Sequence, residues 1–369
     1  MTLANTIQER MEAPAAPSPG PARAALVVRA SRPEDDAARD RFVRGAPGGT
    51  FFHLSGWRRA VERVFGHQGR DLLAFRGDEL VGVLPLMLCS RPLFGAHLVS
   101  MPYAVYGGPV ASEREALLAL VDEASALARR LGVGRMELRC EQDPGLELSP
   151  STLYATFVHP LPEKPEEVMA RMPKRARAEV RKASEKHGLS LSEGRWYLGD
   201  LERLFLSSKQ HLGSPGLPRA WFAALLEEFG SDEVLVHCVH KDQRVIAATM
   251  SFVFRDTLLF YYIGTTPEAN REYSATNYLC TRLQELGVAR GLKWFDLGRS
   301  RVDSGPYQFK QHQGFEPRVL PYRYLLVKSR ELPSFNPSNP RTQKLRDAWA
   351  RLPPWVARSL SGRLMRYLP

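Results

Sequence analysis

The chain has 369 residues, 44% of them hydrophobic and 25% charged, with a net charge of +11. That size suits two domains of moderate size, and the balance excludes a fibrous or wholly disordered chain. No stretch approaches the ~18 consecutive apolar residues of a membrane-spanning helix. The four cysteines lie far apart without a CxxC spacing and the nine histidines show no HxxxH or HExxH pairing, so neither a disulfide scaffold nor a metal site is expected. A reducing cytoplasm is the expected compartment.

Residues 1–25, rich in Pro and Ala, read as a disordered leader with no secretory core. Leu26-Val27-Val28 begins a strand. Ser55 is set to cap a helix whose Trp57, Val61, Val64 and Phe65 share a face. DLLAFRGDELVGVLPLML reads as a hairpin turning at Arg76–Glu79. The loop FGAHLVSMPYAVYGGPV follows, with Tyr103, Tyr106, Gly107 and Gly108. Ser112 and Glu115 form the pattern of a capping box for a helix to about Leu131, and RMELRC reads as a strand.

The second half repeats the plan. After two short helices come the hairpin EVLVHCVHKDQRVIAATMSFVF, the strand TLLFYYIG, a helix from Ser274 to Arg290 and the strand KWFDLG. The halves align by pattern, DELVGVLPLML with DQRVIAATMSF. The expected fold is therefore α/β with mixed (α+β) sheets in two tandem units, residues 26–158 and 159–327. Residues 328–369 form a basic amphipathic tail. The order strand, strand, strand, helix, strand is that of a GNAT acyltransferase core.

Charge is concentrated in two places. Residues 171–187 carry seven Lys/Arg against two Glu, and residues 328–369 carry nine Lys/Arg against two acids. Anionic partners are expected at both. In the first, Lys174, Arg175, Arg177 and Arg181 lie on one helical segment. In the tail, Leu345, Ala348, Trp349 and Leu352 make one stripe and Trp355, Val356, Leu360 and Leu364 another, with Arg358 and Arg363 among them. Such helices suit attachment to a membrane surface.

The stretches WRRAVERVFG, VGVLPLMLCSRPLFGAHLVSMPYAVYGGPVA, FYYIGT, FDLGRSRVDSGPYQFKQHQGFEP and YRYLLV together resemble the FemAB family, in its exosortase/PEP-CTERM-associated branch. The likeness spans about residues 50–327. It implies two tandem GNAT-like domains and an acyl or aminoacyl transferase that acts on a cell-envelope, peptidoglycan or exopolysaccharide precursor at the cytoplasmic membrane face of a bacterial cell. It implies no tightly bound cofactor, with aminoacyl-tRNA or acyl-CoA as donor. The loop GTTPEANREYSATN lacks the glycines of a coenzyme A phosphate cradle, which leans the donor towards aminoacyl-tRNA.

Amide formation needs an amine held at an activated carbonyl, with positive charge aimed at the developing oxyanion. Lys310 matches the lysine of the family motif. It is expected to be that cation, near the surface, with Tyr307 and Phe309 packed beneath it. Asp296 and Arg299 flank Gly298 at a strand end, and Asp296 or Asp303 can accept a proton. Tyr103, Tyr106, Gly107, Gly108, Tyr262, Asn277 and Tyr307 are the expected substrate contacts. Of Tyr261 and Tyr262, alternation sends one to the core and one to the cleft. Lys174, Arg175, Arg177, Arg181, Arg358 and Arg363 are expected to meet tRNA or the membrane. Competing readings are an acyl-CoA-dependent N-acetyltransferase of an amino sugar, a non-catalytic scaffold of a polysaccharide export system, and a nucleic-acid-binding protein.

Overall fold

A computed structural model describes residues 24–91, 95–332 and 340–368, so the leader lies almost wholly outside the described residues. The element types follow the periodicities of the sequence. Ser55–Phe65 is helical with Trp57, Ala60, Val61 and Phe65 buried at helical spacing, and Gly66 stops it at φ 66°. The 114–130 helix begins as expected but without the capping box. Its N-cap is Glu113 with no side-chain cap, and the Ser112 hydroxyl donates instead to Val81 O across the neighbouring strand.

Three sheets result. In the first, Leu26–Ala30, Leu72–Arg76, Glu79–Leu84 and Val110–Ala111 are antiparallel neighbours. The second carries Met87–Arg91, Gly95–Val99 and Arg135–Leu138. Pro85 lies between the first two sheets and cannot donate a ladder hydrogen bond, which separates Glu79–Leu84 from Met87–Arg91. In the second half the equivalent strand, Arg244–Phe254, is unbroken, and the sheet it belongs to has seven strands.

The halves exchange strands. Tyr154–Pro160 pairs with Trp294–Arg301 inside the seven-stranded sheet, and Tyr322–Leu326 returns to pair with Arg135–Leu138 in the first half. The expected boundary at 158/159 therefore falls inside a strand, and no single cut of the chain separates the two sheet systems.

One apolar core runs across both halves. Phe51 stacks on Phe252 with centroids 4.6 Å apart, Trp57 meets Trp221 edge-on at 5.1 Å, and Phe52 lies 5.2 Å from Tyr261. These aromatic contacts join helices of one half to strands and to the helix Arg219–Glu228 of the other.

In the seven-stranded sheet, Thr257–Thr265 and Trp294–Arg301 run parallel but pair only from Thr257↔Trp294 to Leu259↔Asp296. Beyond that they part. Two irregularities bracket the opening: Tyr261 is an extra residue against Arg244–Phe254, and on the other side Phe157 stands opposite both Leu297 and Gly298.

The tail forms helices Pro340–Ala350 and Pro354–Met365, which pack on Leu198–His211. Ala357 and Ser361 are buried there, Gln210 Nε2 donates to Leu352 O at 2.6 Å, and Arg358 pairs with Glu202 at 3.0 Å.

Candidate active site

Where the parallel strands part, Trp294–Arg301 kinks rather than ends. Gly298 has φ 63°, a backbone conformation that suits glycine, and the strand continues to Arg301. The residues after Gly298, where the sequence reading ends the strand KWFDLG, are thus the last residues of that strand, a short turn and the helix Gly305–His312. Ser304 caps that helix by accepting from Tyr307 N at 3.3 Å.

The kink is pinned from both sides. Asp296 Oδ1 accepts from Gly298 N at 2.6 Å. The Lys310 ammonium donates to Leu297 O at 2.6 Å and to Gly298 O at 2.8 Å. These carbonyls belong to the bulge, opposite Phe157, that interrupts pairing with the 154–160 strand, and the ammonium stands 5.1 Å from the Phe157 ring centroid. Lys310 is consequently buried, not a surface cation. The bulged strand positions it, with Tyr307 edge-on to the same Phe157 ring at 5.3 Å.

The first half closes the cluster. The Tyr106 hydroxyl donates to Asp296 Oδ2 at 3.0 Å and takes a hydrogen bond from Thr156 Oγ1 at 2.5 Å. Asp296 and Tyr106 are both buried. Burial pushes the Asp296 carboxyl up to about 6, against the pull of the Gly298 amide. Burial also pulls the Lys310 ammonium down to about 7, partly offset by the Asp296 charge. An acid and a base whose pKa values both approach neutrality are suited to moving a proton at physiological pH.

Arg299 makes no ion pair with Asp296 among the described residues. Its guanidinium lies 4.6 Å over the Tyr154 ring and donates to the Tyr322 hydroxyl at 3.1 Å, while Tyr322 donates to Val105 O. Arg299 therefore fastens the 101–109 loop and the exchanged strand Tyr322–Leu326 to the kinked strand. Asp303 is exposed in the turn before the 305–312 helix, at φ 61°, and stands outside the buried cluster.

The remaining expected contacts divide in the same way. Tyr103 stacks on Phe65 at 4.1 Å and donates to Met365 O at 3.0 Å. Tyr261 and Tyr262 do not alternate, because the bulge at Tyr261 resets the side-chain period. Both hydroxyls reach Tyr103 O, at 3.1 and 3.4 Å. Gly107 and Gly108 serve a close approach within the chain: a Cβ on Gly107 would sit 2.3 Å from Ser100 O and one on Gly108 2.9 Å from Cys140 Sγ. Asn277 Oδ1 accepts from Gln313 Nε2 at 3.0 Å, tying the 275–289 helix to the end of the 305–312 helix.

The basic segment is the helix Lys174–Arg181, with Lys174, Arg175 and Arg181 exposed and Arg177 half-buried. It lies against the helix Ala275–Ala289, and its Glu179 accepts from Ser274 at that helix's N-terminus. Among the described residues no group of His, Cys, Asp and Glu side chains can hold a metal ion. The sequence reading missed Thr156, Phe157, Tyr154 and Tyr322. Nothing local marks them, since all four reach the site through strand exchange.

The fold is a mixed α/β tandem GNAT-like fold. Residues 170–311 match the family model described as an acetyltransferase (GNAT) domain. Among solved structures, the chain is similar to FemX, with 14% identity over 79% of this chain and 96% of that one and a TM-score of 0.65. It is also similar to L-PGS from Bacillus licheniformis, with 13% identity over 87% and 98% and a TM-score of 0.53. A third is a tandem GNAT protein from the clavulanic acid biosynthesis pathway, with 15% identity over 84% and 100% and a TM-score of 0.52. No curated protein matches the chain in sequence.

Proposed function

We propose that the protein is an N-acyltransferase that moves an acyl or aminoacyl group onto an amine of a cell-envelope or exopolysaccharide precursor at a membrane face. The observation that carries this reading is the kinked, splayed strand of the GNAT-matched half, with Asp296 and Lys310 buried at the kink. In such a reaction the amine attacks the activated carbonyl, the C–N bond forms, the amine's proton leaves and the thiol or tRNA hydroxyl departs. Asp296 is the proton acceptor of this reading. The Lys310 ammonium, two of whose three N–H groups are held by carbonyls, has one left for the developing oxyanion. Tyr106 and its loop cover the cluster, so the acceptor enters as that loop moves.

Two donors have support from different residues. A GNAT acetyltransferase domain takes its acyl group from coenzyme A, and the 170–311 match favours that donor. The exposed Lys174, Arg175 and Arg181 beside the start of the 275–289 helix, and the missing glycine cradle, favour the longer anionic donor, aminoacyl-tRNA. Mass spectrometry of the envelope polymer with the wild-type chain, with Asp296→Asn and without the protein tests the reading. An acyl or aminoacyl mass lost in both altered strains supports it, and its nature names the donor. An unchanged polymer, with no thermal shift by acyl-CoA or aminoacyl-tRNA, leaves the scaffold reading instead.

A further inference from the structure

The two C-terminal helices are amphipathic, but packing uses only part of their surface. The 354–365 helix buries a narrow strip of small side chains, Ala357 and Ser361, while Tyr103 holds its end by the Met365 carbonyl. What remains outside is unusual for a protein surface. Leu345 is 71% and Trp355 74% exposed, and Leu360, Leu364 and Leu368 are exposed with them. Elsewhere in the described chain large exposed apolar residues are scattered singly, the ordinary condition of a folded surface. Here they crowd into one short segment.

The charge around them is of one sign. Residues 340–368 contain seven Lys/Arg and a single acid, Asp347. Glu202 engages Arg358, but Lys344, Arg351, Arg363 and Arg366 make no ion pair among the described residues. On the 354–365 helix a 100° step per residue puts Trp355 and Arg363 on the side opposite Ala357 and Ser361, while Arg366, the C-cap, lays its guanidinium against Gly66. A protein partner that buried Trp355 would have to desolvate the Arg363 guanidinium together with the indole. A lipid surface does not, because tryptophan settles at headgroup depth while arginines reach anionic phosphates.

We propose that residues 340–368 form a docking surface for an anionic membrane, with Trp355 and Leu345 entering the headgroup region and Lys344, Arg351 and Arg363 meeting lipid phosphates. This extends the membrane-face part of the proposed function, and lipid binding reads it without any catalytic activity. The Tyr103 bond to Met365 joins this surface to the loop that carries Tyr106 to Asp296. A docked tail would thus hold the acceptor side of the site at the lipid surface.

The test is sedimentation of the full-length protein with vesicles of phosphatidylcholine alone or mixed with phosphatidylglycerol. Point variants are preferable to truncation, because removing the tail uncovers the Leu198–His211 helix and the Tyr103 hydroxyl. The wild type should bind the anionic vesicles and not the zwitterionic ones, with binding weakening as salt rises. The triple variant Lys344→Gln, Arg351→Gln, Arg363→Gln should bind about a hundredfold more weakly, at on the order of fivefold per basic residue. The pair Trp355→Ser and Leu345→Ser should also lose binding while melting as the wild type does, since both side chains are exposed. Failure of the wild type to sediment with anionic vesicles at low salt would overturn the proposal, as would equal binding by the variants. A homodimer abolished by Trp355→Ser, without vesicle binding, would assign the surface to a second copy of the chain instead.

Discussion

Lys310 donates to the carbonyl oxygens of Leu297 and Gly298, at 2.6 and 2.8 Å, from inside the protein. The residue that family likeness marks for chemistry therefore also holds the shape of the strand that presents Asp296. Removing it has a structural cost that a surface lysine would not have. Lys310→Ala leaves two buried carbonyls without a donor and should destabilise by about 1–3 kcal/mol, read as a lower midpoint in urea. Lys310→Arg can still donate to both carbonyls and should recover part of the stability. If Lys310→Ala melts with the wild type, the ammonium is not holding the kink.

Burial of the two charged groups predicts an opposed pH dependence of stability. Asp296 has a folded pKa of about 6, raised from 3.8, so its contribution is fully present below 3.8 and is lost as pH rises through 6. Lys310 has a folded pKa of about 7, lowered from 10.5, so its penalty is fullest below 7 and fades as pH rises to 10.5. Denaturation at stepped pH should show Lys310→Met flattening the rise above pH 7. Asp296→Asn should flatten the fall between pH 4 and 6. Profiles unchanged by both substitutions would mean that neither group titrates in that window.

Tyr106 acts through Asp296, and its test is a pH profile. The phenol donates to Oδ2 and favours the carboxylate, so Tyr106→Phe should raise the Asp296 pKa above its value of about 6. The acid limb of transferase activity should then move to higher pH and narrow the active range, whose alkaline side is set by loss of the Lys310 ammonium at about 7. A uniform loss at every pH would show that Tyr106 matters only to packing.

Much of the architecture was legible from local pattern. The helix at Ser55–Phe65, both hairpins and the strand starting at Trp294 all follow from periodicity and turn residues. Asp296 and Lys310 could be singled out by residue type and position. Their partnership could not, because it depends on a kink at Gly298 and a bulge of Leu297 and Gly298 opposite Phe157, both settled by non-local pairing. For the same reason Lys310 read as exposed: its helix carries polar residues on most sides, and only the neighbouring bulged strand buries it. The tyrosine pair 261–262 defeated the alternation rule through a single inserted residue.

Strand exchange is the feature furthest from local sequence, and it makes a prediction about fragments. In residues 24–145 alone, the strand Arg135–Leu138 would lose its partner Tyr322–Leu326 and become a bare edge. The same fragment would lose the buried Leu320, Tyr322 and Tyr324 from its core. Residues 146–369 would in turn keep both exchanged strands but lose Trp57, Phe51 and Phe52 from against Trp221 and Phe252. A cut after the exposed Gly145 should thus give two fragments that aggregate when made separately and copurify when made together. Size-exclusion and thermal melting would check this. If residues 24–145 form a monomer with a cooperative melt, the first half is self-sufficient, and the exchanged strand is not what joins the two halves into one folding unit.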